Sequence, residues 1–196
     1  VDIAKGKIGA LLLLTAPGVP FIYYGEEIGM KGAKRDEDIR KPMQWDSTEY
    51  AGFSSFLPWR PLNSNFDLIN VGNQENDPDS LLNLYKELIR IRNSSNALSI
   101  GDFQILKTNQ QNVVVFVRKS VNQTMIIISN VGQSIDNLRI TIPKNLLTIG
   151  DYEIRSLLDS NQFNGFKIDT SDKDFDYLYE SQIPSGKYFL IELTKR

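Results

Sequence analysis

The chain has 196 residues, of which 41% are hydrophobic and 23% charged, and a formal net charge of −2. These are the proportions of a folded globular protein; the balance offers no basic surface for nucleic acid or an anionic membrane, and the longest apolar run, Ala10 to Leu14, is far too short to span a bilayer. The sequence holds no Cys and no His, which excludes disulfides, thiol nucleophiles and thiolate metal sites and removes the commonest general base and metal ligand: no cofactor or metal is expected, and any chemistry falls to carboxylates, Arg, Lys, Tyr or hydroxyls.

The chain opens inside a helical pattern, on Val and with no signal-like stretch before it, and so reads as a piece of a longer protein. Asp2 to Thr15 reads as a helix, with Ile3, Ala4, Ile8, Leu11 and Leu12 recurring at helical spacing. It is apolar nearly all round, which predicts burial on more than one side. Pro17-Gly18 stops it. Val19 to Tyr24 follows as a continuous β-branched and aromatic run, the pattern of a strand buried on both faces in a parallel sheet. Helix, tight turn and buried strand make one αβ step of an α/β fold. From Gly25 to Asn76 no period survives. A loop this long is uncommon unless functional, and its Trp, Phe and Arg content predicts an ordered, packed segment. Asp77 to Asn96 is the clearest helix, with Asp77 as N-cap, Pro78 at the first helical position and an apolar stripe of Leu81, Leu84, Tyr85, Leu88 and Ile91.

After Gly101 the pattern changes to period two. Phe103–Lys107, Val113–Lys119, Met125–Ser129, Leu138–Ile142, Tyr152–Leu157 and Tyr188–Leu193 read as strands, most of them separated by turn-rich breaks. Short strands at this spacing indicate an antiparallel sandwich. The expected boundary lies near residues 97–101, giving domains 1–97 and 98–196.

Three clusters are candidates for chemistry. Glu26 and Glu27 follow the expected strand, at the rim where α/β barrels assemble active sites. Glycoside hydrolysis needs two carboxylates about 5 to 9.5 Å apart across the scissile bond. Adjacent residues leaving a strand point in different directions and make a poor couple, so hydrogen bonding to the loop backbone or pairing with a nearby arginine explains them better. The charge run Lys34-Arg35-Asp36-Glu37-Asp38-Ile39-Arg40 reads as a solvated loop or as one wall of a pocket. Within it Arg40 is the best single candidate, because its fork can hold a carboxylate or sugar hydroxyls. Trp45, Phe53, Phe56 and Trp59 suit the C–H faces of a sugar, or equally staple the loop to a core.

These residues resemble a known family. L-L-L-L-T-A-P-G-V-P-F-I-Y-Y-G-E-E-I-G-M (Leu11 to Met30) is similar to the last αβ step of the catalytic barrel in α-amylase-type glycoside hydrolases, family thirteen. D-E-D-I-R-K-P-M-Q-W-D (Asp36 to Asp46), A-G-F-S-S-F-L-P-W-R-P-L-N (Ala51 to Asn63) and D-P-D-S-L-L-N-L-Y-K-E-L-I-R-I-R (Asp77 to Arg92) continue the resemblance in the family's order. V-V-V-F-V-R and P-S-G-K-Y-F-L-I-E-L resemble its C-terminal β-domain. The resemblance implies a fold: an α+β fragment made of the last αβα elements of a (β/α)8 barrel followed by an antiparallel β-sandwich. It also implies that the family's nucleophilic Asp, acid/base Glu and third Asp lie upstream, so that no catalytic residue is carried here and the chain alone is inactive. Arg40 matches the arginine of an R-T-P-M-Q-W motif that helps close the subsite for the terminal glucose, with Lys41 in place of the usual Thr and Phe56 where Gly is common. The implied partner of the full-length enzyme is an α-glucan oligosaccharide, acted on by retaining hydrolysis or transfer. An alternative is a non-catalytic α-glucan-binding or structural module. The barrel surface left exposed at Val19–Tyr24 predicts self-association.

Overall fold

The computed structural model describes residues 3–32 and 35–196. They combine short helices with antiparallel sheets in two compact units, one of residues up to Ala10 with Val19–Arg90, the other of Leu11–Gly18 with Ile91–Arg196.

In the first unit the start of helix α1 (Ile3–Thr15) buries Ile8 and Ala10. The body of the helix forms as expected; Asp2 lies outside the described residues. Gly6 lies close to Leu81, where an added Cβ would come within 3.3 Å of its side chain. The expected strand Val19–Tyr24 does not form. Val19 is 79% and Phe21 85% exposed. A lone strand has no ladder to join, and the Tyr23 carbonyl instead accepts from the Glu26 amide at 3.1 Å. Gly25, at φ 86°, leads into a 3-10 turn over Glu26–Ile28, and Gly29, at φ 76°, closes it by donating to the Glu26 carbonyl. Ile28, Met43 and Leu82 form a small core with Met30 and Val71 packed on it.

The long segment after Gly25 is a chain of short helical pieces: α2 (Asp36–Ile39), a 3-10 turn over Glu49–Gly52 and α3 (Val71–Glu75), whose N-cap Asn70 accepts from the Asn73 amide. Gln74, at the end of α3, donates to the Ile28 carbonyl at 2.7 Å and accepts from the Leu82 amide at 3.1 Å. One buried amide thus ties the Glu26 turn to α4 (Leu81–Ser94). Ser80, not Asp77, caps α4: its Oγ accepts from Asn83 N–H at 3.1 Å. The Asp77 carboxylate closes a local turn instead, taking the Asp79 amide at 2.9 Å, the competition that short acidic side chains offer to helix entry.

In the second unit, α5 (Asn96–Ile100), capped by Ser95, packs on β3 and β4. The strands are β1 (Asp102–Ile105), β2 (Lys107–Thr108), β3 (Val113–Lys119), β4 (Thr124–Asn130), β5 (Leu138–Ile142), β6 (Gly150–Ser156), β7 (Phe166–Ile168), β8 (Phe175–Tyr179) and β9 (Tyr188–Lys195). Six form one sheet in the order β1-β3-β4-β9-β6-β7 and three another, β2-β5-β8; every pairing is antiparallel. Val115, Val117, Ile126, Ile128 and Ile191 of the large sheet share a core with Ile140, Ile142 and Tyr177 of the small one. β4 is buried along its whole length, on both faces, and so departs from simple alternation. β7, β8 and α5 were not anticipated. Each is five residues or fewer, too short to establish a period.

At the end of α1 two arginines replace ordinary capping. Arg92 donates to the carbonyls of Leu14 (2.8 Å), Ala16 (3.1 Å) and Gly18 (2.6 Å). Arg118, only 1% exposed, donates to Thr15 O at 2.8 Å and Gly101 O at 2.9 Å.

Candidate functional site

The first unit holds a cleft of about 340 Å³ lined by Tyr24, Glu27, Arg40, Lys41, Pro42, Met43, Trp45, Phe53 and Trp59. Its floor is the segment Lys41–Trp45. Gln44, fully buried, donates to the Ile69 carbonyl and accepts from Asn63 Nδ2 at 2.9 Å. The main chain of Gln44 and Trp45 accepts from Val71 (3.0 Å) and Gly72 (2.9 Å), and Trp45 N–H donates to Ala51 O at 2.9 Å. These bonds leave the Trp45 ring half exposed on a fixed backbone. The turn that carries Phe53 is left-handed at Tyr50, Ala51 and Gly52, a conformation costly for the first two. It is held by Trp45, by the burial of Ala51 and by Asp46, whose Oδ1 accepts from the Thr48 amide (2.9 Å) and hydroxyl (2.5 Å). Those hydrogen bonds from Thr48 hold the Asp46 carboxyl below its usual range.

The candidates divide. Arg40, Trp45, Phe53, Trp59 and Glu27 converge on the cleft, whereas Phe56 is 81% exposed and outside it. Arg40 is held by Asp36, four residues earlier, through its Nη2 and by Nε to the Asp36 carbonyl. Elsewhere in the charge run Asp38 pairs with Arg60 at 2.8 Å, while Lys34 lies outside the described residues. Glu26 turns away and accepts from Tyr85 OH at 2.9 Å. Glu27 Oε2 is buried without a hydrogen-bond partner. Among the described residues that line the cleft, Glu27 is the one carboxylate, whereas glycoside hydrolysis uses a pair. Four lining residues, Tyr24, Lys41, Pro42 and Met43, are not among the sequence candidates, and two of them make defining hydrogen bonds. Tyr24 donates to Lys41 O at 2.9 Å, and Lys41 Nζ donates to Asn63 Oδ1 at 3.0 Å. Burial, with help from Tyr23, pushes the Tyr24 phenol up against the opposing pull of Arg40, so it remains a hydroxyl donor at neutral pH. Larger clefts, in the second unit, contain none of the candidates.

Residues 2–101 match the catalytic domain of α-amylase. The chain belongs to the α-amylase family. This α-amylase-family chain is 34% identical over 132 residues to "Alpha-amylase 3" of Dictyoglomus thermophilum, an alignment covering 67% of this chain and 26% of that protein. It is 35% identical over 176 residues to "Amino acid transporter heavy chain SLC3A1" of Homo sapiens, covering 82% of this chain and 25% of that one. The chain therefore spans about a quarter of the length of these relatives. The crystal structure of trehalose-6-phosphate hydrolase from Bacillus licheniformis superposes with a TM-score of 0.73 at 24% identity, over 98% of this chain and 39% of that one. The parent family is that of α-amylase-type glycoside hydrolases, and the fold is one it shares.

Proposed function

We propose that the chain is the C-terminal part of a retaining glycoside hydrolase or transglycosidase acting on α-glucans. Residues 1–97 would supply the last elements of the catalytic barrel and residues 98–196 a β-sandwich. The catalytic carboxylates belong to the remainder of the longer protein. The observation that carries this is the cleft in the family-matching region, where an arginine fork, two tryptophans and a phenylalanine stand on a hydrogen-bonded floor. Aromatic faces pack on sugar C–H surfaces. Arg40, once it exchanges Asp36 for ligand, donates from a planar fork to ring hydroxyls. Neither action breaks a glycosidic bond. The exposed Val19–Tyr24 segment is the face that the rest of the barrel covers, and in the chain alone it drives self-association.

The test has two parts. Purified chain releases no glucose from maltoheptaose or isomaltose; turnover by this material sinks the fragment reading. Extending the gene upstream restores hydrolysis, and Arg40→Ala in the extended enzyme raises KM at least tenfold. An extended protein that binds no sugar and turns none over supports the second reading, a non-catalytic member of the family. That reading is favoured by one observation, the 35% identity to a protein named as a transporter heavy chain. A third, a β-sandwich that itself binds α-glucan, requires maltoheptaose binding that survives Arg40→Ala and Trp59→Ala and is lost on substitution of sandwich aromatics.

A further inference from the structure

β1 ends the six-stranded sheet, and all of its residues are exposed. Its inner side is bonded to β3: Leu106 N–H donates to Val115 O at 2.9 Å, and Gln104 stands opposite Val117 in the same register. Alternate residues of an antiparallel strand face opposite neighbours. Phe103 and Ile105 therefore turn their N–H and C=O groups outward, and no strand among the described residues takes them. The side chains of these two residues share one face, with Phe103 43% and Ile105 68% exposed and the Phe103 ring 5.2 Å from that of Phe116. Beside them Ile100 and Val121, 83% and 98% exposed, line a cleft of about 540 Å³. The other end of the sheet is protected differently. There β7 carries Lys167, paired with Asp169 at 2.9 Å, the charged edge that discourages pairing.

We propose that β1 is the pairing edge of a symmetric dimer, its occupant a second copy of this chain. Antiparallel pairing about a twofold axis at Gln104 sets Phe103 of one copy opposite Ile105 of the other. The outward main-chain groups then meet reciprocally, and the apolar side chains fall on the same face as cross-strand pairs. A slip of one residue would present inward-bonded groups and the opposite face. Charge agrees with this arrangement. Asp102 at the start of the strand and Lys107 just past its end are both exposed, and neither is ion-paired among the described residues. The twofold brings Asp102 of each copy to the Lys107 end of the other, whereas parallel pairing would align like charges.

The chain has no cysteine, so Gln104→Cys introduces a lone thiol. At the twofold its Cα lies about 4.5 Å from its mate, within reach of a disulfide. Oxidised Gln104→Cys is expected to run as a covalent dimer, and the off-axis control Val121→Cys as a monomer. In a Phe21→Ser/Ile22→Ser background, which removes the other exposed apolar segment, sedimentation equilibrium is expected to show a dimer. Ile105→Lys weakens that dimer at least tenfold, and so does Ile105→Pro, which deletes an outward N–H without touching the β3 ladder. Circular dichroism confirms that both variants keep their sheet content. A monomer in the Phe21→Ser/Ile22→Ser background overturns the proposal, as do equal cross-linking at residues 104 and 121 and a dimer indifferent to both Ile105 changes.

Discussion

Among single residues the most unusual choice is a pair of buried guanidinium groups, Arg92 and Arg118, that donate to main-chain carbonyls. Arg92 and Arg118 both donate to the end of α1. A helix C-terminus carries roughly half a negative charge, so the carbonyls and the dipole together stand in for a counter-ion. The cost is visible: burial pushes both guanidinium pKa values down, and Arg92 adds to the effect on Arg118. Arg118 Nε remains buried without a partner. Arg92→Ala leaves three carbonyls without their donor and is expected to lower the unfolding free energy by about 3 kcal/mol, read from urea denaturation. Arg92→Lys recovers only part, because one ammonium cannot span Leu14, Ala16 and Gly18 as a fork does. A loss below about 0.5 kcal/mol for the alanine variant would show that water caps the helix as well as arginine does.

Among the elements, α4 offers the sharpest test of local encoding. Ser80→Ala is expected to cost about 1 kcal/mol and Asp77→Ala less, measured by the same unfolding curves; the reverse order would restore Asp77 as the cap. The helix body was legible from its stripe, and β3 and β5 begin and end where alternation placed them. Val19–Tyr24 was not, for a physical reason. An apolar β-branched run encodes a demand for burial, but it does not encode a supply of neighbouring strands. β7 and β8 hid because Phe166–Ile168 and Phe175–Tyr179 are short and lie among Asp, Lys and Ser. The cleft was half legible. Arg40 and the tryptophans announce themselves by residue type, but Tyr24 and Lys41 join only because a bond across 17 residues brings them together.

For the molecule as a whole, the absence of His leaves no side chain with an ordinary pKa near neutrality. Stability therefore changes at the edges of the pH range. On the acid side, burial works to raise the carboxyls of Asp159 and Glu192, yet both sit below their usual range. Lys187, Ser156 and the Asn161 amide hold Asp159, while Arg155 and Gln123 hold Glu192. A depressed carboxyl contributes stability above its unfolded value and loses it as pH falls through the folded one. On the alkaline side, burial, with Tyr179 adding, pushes the Tyr177 phenol from 10.0 up to about 12. Its contribution is complete below pH 10 and is lost as pH rises from 10 toward 12. The urea midpoint is expected to be level between roughly pH 6 and 9 and to fall on both sides. Glu192→Gln blunts the acid fall alone and Tyr177→Phe the alkaline fall alone. A steady slope through neutrality would contradict this assignment.

The arginine cap on α1 also orders events in time. Thr15 waits for a donor 103 residues further along the chain, and at the usual pace of synthesis that partner emerges about 5 to 20 s after the helix it secures. Arg92 can take the Leu14, Ala16 and Gly18 carbonyls earlier, but until β3 is made the Thr15 carbonyl lacks its donor. The cap on α1 is therefore assembled in two stages, and it is complete only when the first long strand of the large sheet arrives.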